Sequence, residues 1–222
     1  MKARAINHQF PYNEIVSAVV WKLERGNKMK KVLIGFLAAV FTITTLTGCG
    51  MFASANAVIL YGEEEEVLAA IDKEKDVFIK EDQFKIKIWE TGGKKLLFLT
   101  DETAQFLIDK KLLREITDQE KRKTKAVTSL PKVTKGEGLF FAREDAKDFD
   151  TKDIDLEVTY EGNIIIGEGR VFTDMFLIIQ EDDWSSLQGT EKTMAILEYD
   201  KDPSAEGLRY DVDKTQLVRI QD

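Results

Sequence analysis

The chain contains one cysteine, Cys49, and its position is more informative than its number. A thiol can act as a nucleophile, bind a metal, enter a disulfide or carry a thioether. Cys49 follows the apolar run 32–41, which is itself preceded by Lys30 and Lys31. A basic head, a short apolar segment and small residues before a cleavage point are typical of a secretory signal peptide. The sequence therefore predicts export, with Cys49 at the end of the exported leader.

The four residues Leu46, Thr47, Gly48 and Cys49 resemble a lipobox, the motif at which bacterial lipoproteins are lipidated and cleaved. By this resemblance the chain is identified as a bacterial lipoprotein, of the kind found on the surface of Gram-positive cells. The resemblance implies cleavage after Gly48, a diacylglyceryl thioether on Cys49 and an amino terminus that can be N-acylated. Two acyl chains are enough for stable attachment to a bilayer. The expected location is the extracytoplasmic face of the cell membrane, and no other cofactor is expected.

The apolar segment also allows an uncleaved anchor helix. From Val32 to Thr47 it spans sixteen residues, whereas a membrane-spanning helix needs about 20 and a signal peptide only about 7–15 apolar residues. Upstream, Glu24-Arg25-Gly26 can be encoded by a purine run like a ribosome-binding site, shortly before Met29. We therefore expect four segments: a mis-called upstream start at 1–28, a signal peptide at 29–48, a lipidated tether at 49–56 and an extracytoplasmic domain at 57–222.

Composition restricts the chemistry of the mature chain. Residues 1–48 hold the single histidine, His8, with seven of the 32 Lys and Arg and two of the 40 Asp and Glu, so the remaining 174 residues carry a formal charge of −13. Without histidine there is no Ser-His-Asp triad or His-bound zinc, and a lipidated Cys49 leaves no free thiol. This favours a protein that is not an enzyme. The acidity disfavours nucleic acid as a partner.

The densest group of carboxylates predicts at most a weak cation site. Calcium binds six to eight oxygens, and the candidate ligands are Asp148, Asp150, Asp153 and Asp155. The EF-hand pattern fails, because Asp153 stands where that loop needs glycine. A solvated acidic loop is the alternative. The glycine pairs in 136–138 and 167–169 lack the Lys-Ser/Thr of a phosphate loop, so they indicate bends.

The periodicity of the mature chain predicts one α+β domain with a mostly antiparallel or mixed sheet and about three short helices. Strands are expected at 57–61, 84–88, 96–99, 139–142, 156–160, 164–166, 171–180, 194–199, 208–212 and 217–220. Helices are expected near 63–73, 101–114 and 182–187, with a charged loop at 117–125. Gly162-Asn163 predicts a hairpin turn. A strand followed by acidic residues and a helix occurs twice, at 97–102 and 177–182, which allows a distant internal repeat.

One segment gives a hint about partners. Residues 176–187, with the strand 194–199 behind them, resemble the strand–acidic helix–strand units in extracytoplasmic domains of FtsX-like ABC permeases. The resemblance implies a partner surface at Asp182, Asp183 and Trp184. Packing into the core is the alternative for Trp184 and for Trp89.

The leading hypothesis for function is a non-enzymatic accessory or interaction domain in the cell envelope, beside an ABC transporter. The alternative is a lipoprotein that binds a solute or Ca²⁺. A hydrolase that uses paired carboxylates comes third, because any acidic protein offers many such pairs.

Overall fold

A computed structural model of the chain describes residues 55–203 and 209–221. The predicted signal peptide, the lipobox and Cys49 lie outside these ranges. Within them the structure has eleven strands, two α-helices and two 3-10 helices, so the predicted α+β class is confirmed. None of the helices in the described ranges is long and apolar enough to cross a membrane.

The strands are β1 (Ala57–Gly62), β2 (Lys80–Thr91), β3 (Lys94–Thr100), β4 (Leu113–Asp118), β5 (Lys123–Ala126), β6 (Glu137–Phe141), β7 (Glu157–Gly162), β8 (Ile164–Ile166), β9 (Met175–Ile179), β10 (Thr190–Glu198) and β11 (Lys214–Val218). The helices are α1 (Glu64–Glu74), α2 (Asp101–Asp109) and the 3-10 helices Glu144–Ala146 and Glu181–Ser186.

Eight strands form the main sheet in the order β11-β1-β10-β2-β3-β9-β6-β7, and β5-β4-β8 form a small second sheet. Most neighbours in the main sheet are antiparallel. The exceptions are β3 with β9, paired at Leu97↔Phe176, and β6 with β7. A parallel pair cannot be closed by a tight turn. The chain therefore builds the whole second sheet and two further strands between β3 and β9.

Both faces of the main sheet are buried, as alternate side chains show. Leu97, Leu99 and Ile178 point to the face covered by α2 and the small sheet. Leu96 and Leu177 point to the other face, which is covered by the 3-10 helix Glu181–Ser186 and the loop before β7. Helix α1 packs on that same second face nearer the edge of the sheet, over β1 and β10. The result is three layers with the sheet in the middle.

The two α-helices begin where the sequence predicts. Three glutamates occupy the first turn of α1, at the positive end of its dipole. The side chain of Thr100 caps α2 by accepting a hydrogen bond from the Thr103 amide at 3.2 Å. The predicted end of α2 near Arg114 is wrong, because the helix stops at Asp109 and Lys111 adopts a φ of 56°. The apolar stripe that suggested a longer helix continues into the buried start of β4.

Four local predictions are also corrected. The segment 117–125, predicted as a charged loop, is largely a hairpin of β4 and β5. Because most residues on both faces of these strands are polar, the sequence lacks the apolar alternation that indicates a strand. The Gly162-Asn163 turn does not join a hairpin, because β7 pairs with β6 and β8 pairs with β4 in the other sheet. The strand expected at 208–212 is absent from its described part, 209–212, which is irregular. The last strand lies at Lys214–Val218 instead of 217–220.

Gly167 lies where the small sheet meets the edge of the main sheet. Its φ is +65°, and a Cβ there would stand 2.6 Å from Val218 Cγ1 and 2.8 Å from Gln216 Nε2. The Gln216 amide donates to the carbonyl of Ile166 at 3.1 Å, which ties β11 to β8. Close approach of backbone to side chain therefore requires glycine at this bend.

Replacing Gly167 with alanine tests this contact. Gly167→Ala is expected to lower the free energy of unfolding by about 2–4 kcal/mol, since backbone strain adds to overpacking. Gly136→Ala is the matched control, because Gly136 also has a positive φ of +82° but open space around it, so only about 1 kcal/mol is expected. Urea unfolding followed by tryptophan fluorescence measures both. Equal losses would show that the close contact contributes nothing.

Candidate functional site

The centre of the main sheet has the geometry of a topological switch point. Strands β3 and β9 lie side by side and parallel, so Thr100 and Ile179 end next to each other. The chain then enters α2 on one face of the sheet and the 3-10 helix Glu181–Ser186 on the other. Helices that leave adjacent parallel strands on opposite faces open a crevice at the carboxyl ends of those strands, which is where ligands bind in open α/β sheets.

A cleft occupies this position on the α2 side. Its volume is about 420 Å³, within the roughly 300–1,000 Å³ of small-molecule sites. Helix α2 forms one wall, the segment 130–133 forms the opposite wall, and Leu139 and Ile178 lie at the floor. We call this space the α2 cleft.

Charges of both signs line the α2 cleft. Asp101 and Glu102 are exposed on the α2 wall, and Lys132 is exposed on the opposite wall. The Asp101 carboxylate accepts a hydrogen bond from the Glu102 amide at 3.1 Å. Within residues 55–203 and 209–221, none of the three side chains forms an ion pair. The arrangement suits a ligand that has an apolar part, a positive group toward α2 and a negative group toward Lys132.

Two side chains that follow β9 hold the outer wall of the cleft in place. The Gln180 amide donates to the carbonyl of Val133 at 3.1 Å. Asp183 is only 7% exposed, and its Oδ2 accepts a hydrogen bond from the Gly136 amide at 2.9 Å. The segment 133–136 has no regular secondary structure, so these two hydrogen bonds replace the ladder that a strand would have supplied.

The three residues predicted to contact a partner, Asp182, Asp183 and Trp184, differ in their exposure to solvent. Asp183 is buried and positions the cleft wall. Asp182 is exposed, with its Oδ2 3.9 Å from the Lys135 ammonium. Trp184 is half-buried, and its indole N–H donates to Glu191 at 3.1 Å. Of the three, only Asp182 offers a freely accessible side chain.

Lys87, on the main sheet, forms hydrogen bonds with the end of the 3-10 helix Glu181–Ser186. It lies in the middle of β2 and is 5% exposed. Its ammonium donates to the carbonyls of Trp184 at 2.8 Å and Leu187 at 3.1 Å, and it lies 5.0 Å from the centre of the Trp184 ring. The cation thus supplies a donor to carbonyls at the end of a short helix, where backbone carbonyls run out of partners within the helix. Sequence periodicity placed Lys87 on the polar face of its strand and gave no sign of this role.

The candidate calcium ligands are not gathered into a site. Asp150 accepts a hydrogen bond from the Lys152 amide at 3.1 Å. Asp153 and Asp155 border a small cavity of about 130 Å³ that also touches Trp89. In the described part of the chain, no three Asp, Glu, His or Cys side chains group as metal ligands do. Calcium binding at Asp148 and its neighbours stays a prediction that this geometry does not support.

Nearby, Glu144 is neutralised by a local partner. Its carboxylate accepts a hydrogen bond from Lys147 at 2.7 Å. This contact lowers the pKa of Glu144 below its usual range and raises the pKa of Lys147. The densest carboxylate segment of the chain is thus partly balanced by its own lysines.

The residues that line the α2 cleft are not evident from the sequence. Asp101 stands at the start of a predicted helix, and Gln180 stands at the end of a predicted strand. In the structure, both residues directly follow an apolar strand. That position indicates a shared site only if the two strands are parallel neighbours in the sheet. The pairing of residues 79 positions apart, such as Leu97 with Phe176, cannot be inferred from one sequence.

Truncating Asp183 tests whether it holds the cleft wall. Asp183→Ala is expected to lower the free energy of unfolding by about 1–3 kcal/mol, because the Gly136 amide loses its partner. The matched control is Asp182→Ala, for which a change within about 0.5 kcal/mol is expected, since its exposed ion pair is weak. Chemical unfolding measures both. Hydrogen exchange of the Gly136 amide should accelerate only in Asp183→Ala, and unchanged exchange would contradict the assignment.

Comparison with known proteins agrees with this fold. No curated protein gives a significant match. The crystal structure at 1.5 Å of a "Putative Lipoprotein from Bacillus anthracis" is similar to 75% of this chain and 100% of its own, with a TM-score of 0.67 and 23% sequence identity, which supports the fold alone. The profile of an uncharacterised lipoprotein family matches residues 55–221. The chain therefore belongs to this uncharacterised lipoprotein family and is a bacterial lipoprotein, a class whose members are membrane-associated or surface proteins.

Proposed function

We propose that this protein is a non-enzymatic accessory domain, held on the extracytoplasmic face of the cell membrane by lipid on Cys49, that binds a segment of an envelope protein in the α2 cleft. The observation that carries the proposal is the cleft itself, at the carboxyl ends of the parallel strands β3 and β9. Its apolar floor and its unpaired charges of both signs match a peptide segment better than a uniformly apolar or anionic ligand.

The short tether supports a partner at the membrane. Asn56 is seven residues after Cys49, and seven extended residues reach at most about 25 Å. The Asn56 side chain donates to the Ile220 carbonyl at 3.1 Å and accepts from the Ile220 amide at 2.8 Å. The tether is thus fixed to the sheet where β1 begins, and the carboxyl ends of β3 and β9 point toward that same end. A partner in the α2 cleft would lie near the bilayer.

The partner class that we propose is an extracytoplasmic segment of a membrane transporter. The likeness of residues 176–187 to FtsX-like permease domains first suggested this class. Those residues include Asp183, which positions the cleft wall. The proposal needs a partner within reach of a domain on a short tether, and a transporter meets that condition.

Binding of a small solute is the second candidate, since the volume of the α2 cleft falls in the range of small-molecule sites. A hydrolase receives less support. Glycoside hydrolysis needs two carboxyl groups that face each other across the substrate. Among the residues that line the cleft, both carboxylates belong to α2 and a lysine faces them.

Photo-crosslinking in intact cells tests the partner proposal. A photoreactive residue in place of Gln105, an exposed residue of the cleft, is expected to give one dominant adduct with a membrane protein. The control position is Glu168, which is also exposed but does not line the cleft. Lys132→Glu should abolish the adduct because it reverses the charge of one wall, whereas Lys94→Glu, on the exposed β2–β3 turn, should leave it intact.

The same experiment separates the two candidates. Equal adducts from positions 105 and 168, or none at native expression, would contradict a protein partner. A small solute would then be expected to raise the melting temperature of the purified protein, and Lys132→Glu would reduce that rise. A ligand at 100 times its Kd stabilises the fold by about 2.7 kcal/mol.

Substitution of the predicted lipid attachment residue tests the anchor. Cys49→Ser removes the thiol that would carry the diacylglyceryl group, so the protein is expected to lose incorporated labelled fatty acid and leave the membrane fraction. Cys49 lies outside the residues that form the described sheet, whose first strand begins at Ala57, so the melting temperature of the domain should not change. Retention of the label in Cys49→Ser would contradict lipidation at this residue.

A further inference from the structure

The most exposed large apolar side chain in the described part of the chain is Ile79, at 60%. Val77, two residues earlier, is 41% exposed. Between them Phe78 points inward and contacts Tyr199 edge-on, with ring centres 6.5 Å apart. The loop 75–79 between α1 and β2 thus presents two apolar side chains to solvent while the residue between them fixes the loop to the core. Transfer of these two side chains from water into an apolar environment would be favourable.

The position of this loop suggests what covers it. The Ile79 amide donates to the Glu198 carbonyl at 2.8 Å, and the Tyr199 amide donates to the Asn56 carbonyl at 2.9 Å. Ile79 and Asn56 therefore lie on either side of the end of β10, at the same level of the sheet. Neighbouring strands are about 4.8 Å apart, so the backbones of these two residues are roughly 10 Å apart. The exposed apolar pair is next to the point where the tether from Cys49 joins the domain.

The two lysines beside the loop pair with nearby carboxylates, and Asp76 within the loop is exposed. Lys75 pairs with Asp72 at 3.0 Å, and Lys80 pairs with Asp82 at 2.8 Å. The loop is therefore not a basic patch that would bind an anionic surface by charge alone. An apolar pair beside Asn56, where the predicted tether joins the domain, fits the interfacial zone of a bilayer, where apolar side chains are buried and charged heads remain in water.

We propose that Val77 and Ile79 form a wedge that inserts into the interface of the bilayer to which the lipid on Cys49 attaches the protein. The occupant of this surface is the lipid bilayer. The inference rests on the proposed lipid anchor, and it adds a second contact with the membrane that fixes how the domain is oriented on it. With two contacts, the end of the sheet that carries the tether faces the membrane.

A depth measurement on the lipidated, full-length protein tests the wedge. In the mature protein the sulfur of Cys49 is blocked by its thioether, so a cysteine introduced elsewhere can be labelled alone with an environment-sensitive fluorophore. The test position is Val77→Cys. The matched control is Val171→Cys, because Val171 has nearly the same exposure, 39%, and belongs to the loop that precedes β9, at the opposite end of the sheet.

Both proteins are placed in vesicles of phosphatidylcholine with a minor share of phosphatidylglycerol and nitroxide-labelled lipid. The fluorophore at position 77 is expected to shift to shorter wavelength and to be quenched several-fold more strongly than the one at position 171. Adding Ile79→Asp to Val77→Cys is expected to reduce quenching to the level of the control. Both side chains are exposed, so the melting temperatures of the variants should stay unchanged. Equal melting temperatures would exclude misfolding as the cause of reduced quenching.

Each other outcome overturns the wedge. Equal quenching at positions 77 and 171 means that this loop does not meet lipid. Shielding of position 77 in cell membranes but not in pure lipid vesicles assigns the loop to a protein partner instead. If neither labelled protein floats with vesicles and the dye reacts at Cys49, the anchor itself is absent and the proposed location fails too. Crosslinking from Gln105 without lipid quenching at position 77 would retain the accessory function and reject only the wedge.

Discussion

The parallel pairing of β3 with β9 is the constraint on which the rest of the structure depends. Leu97 to Leu99 pair with Phe176 to Ile178 at the centre of the main sheet, and parallel neighbours require a long connection. That connection supplies the small sheet, the wall of the α2 cleft and the strands β6 and β7. The pairing also brings two strand ends together and sends the following helices to opposite faces of the sheet. The crevice therefore follows from the strand order and the placement of the helices, whichever side chains line it.

Buried and half-buried polar groups then turn the crevice into a defined cleft. Gln180 and Asp183 each bind one backbone group of the wall segment, and Lys87 donates to the carbonyls of Trp184 and Leu187 at the end of the 3-10 helix. A buried donor or acceptor without a partner costs about 1–3 kcal/mol, so these contacts select one position for segments that have little regular structure. Of the acidic residues 181–183, Asp183 has a structural role, whereas Glu181 and Asp182 are exposed and are left for direct contact with another molecule.

Much of the fold was predictable from the sequence, and the site was not. Strand β1, the start of α2 and the short helix after β9 follow from alternation, capping and acidic first turns, which are local signals. The prediction of the end of α2 was wrong because the apolar residues Leu112 and Leu113, which fit a helical stripe, are buried in a loop and at the start of a strand instead. The hairpin of β4 and β5 was missed because both strands are charged. The two strand–acid–helix units 97–102 and 177–182 prove to be side by side, yet their helices cover opposite faces, and neither fact can be derived without the pairing.

A domain held at two points on a membrane binds differently from one held by a flexible tether. With a single attachment at Cys49, no second contact would fix the orientation of the domain on the membrane, and the α2 cleft would sample many directions. A second contact through Val77 and Ile79 removes most of those orientations, so that the cleft meets a membrane-bound partner at a higher effective concentration without any added contact. The short tether and the exposed loop therefore act together. The tether keeps the domain close to the membrane, and the loop sets its orientation there, whereas a long linker would let the domain move away from the bilayer.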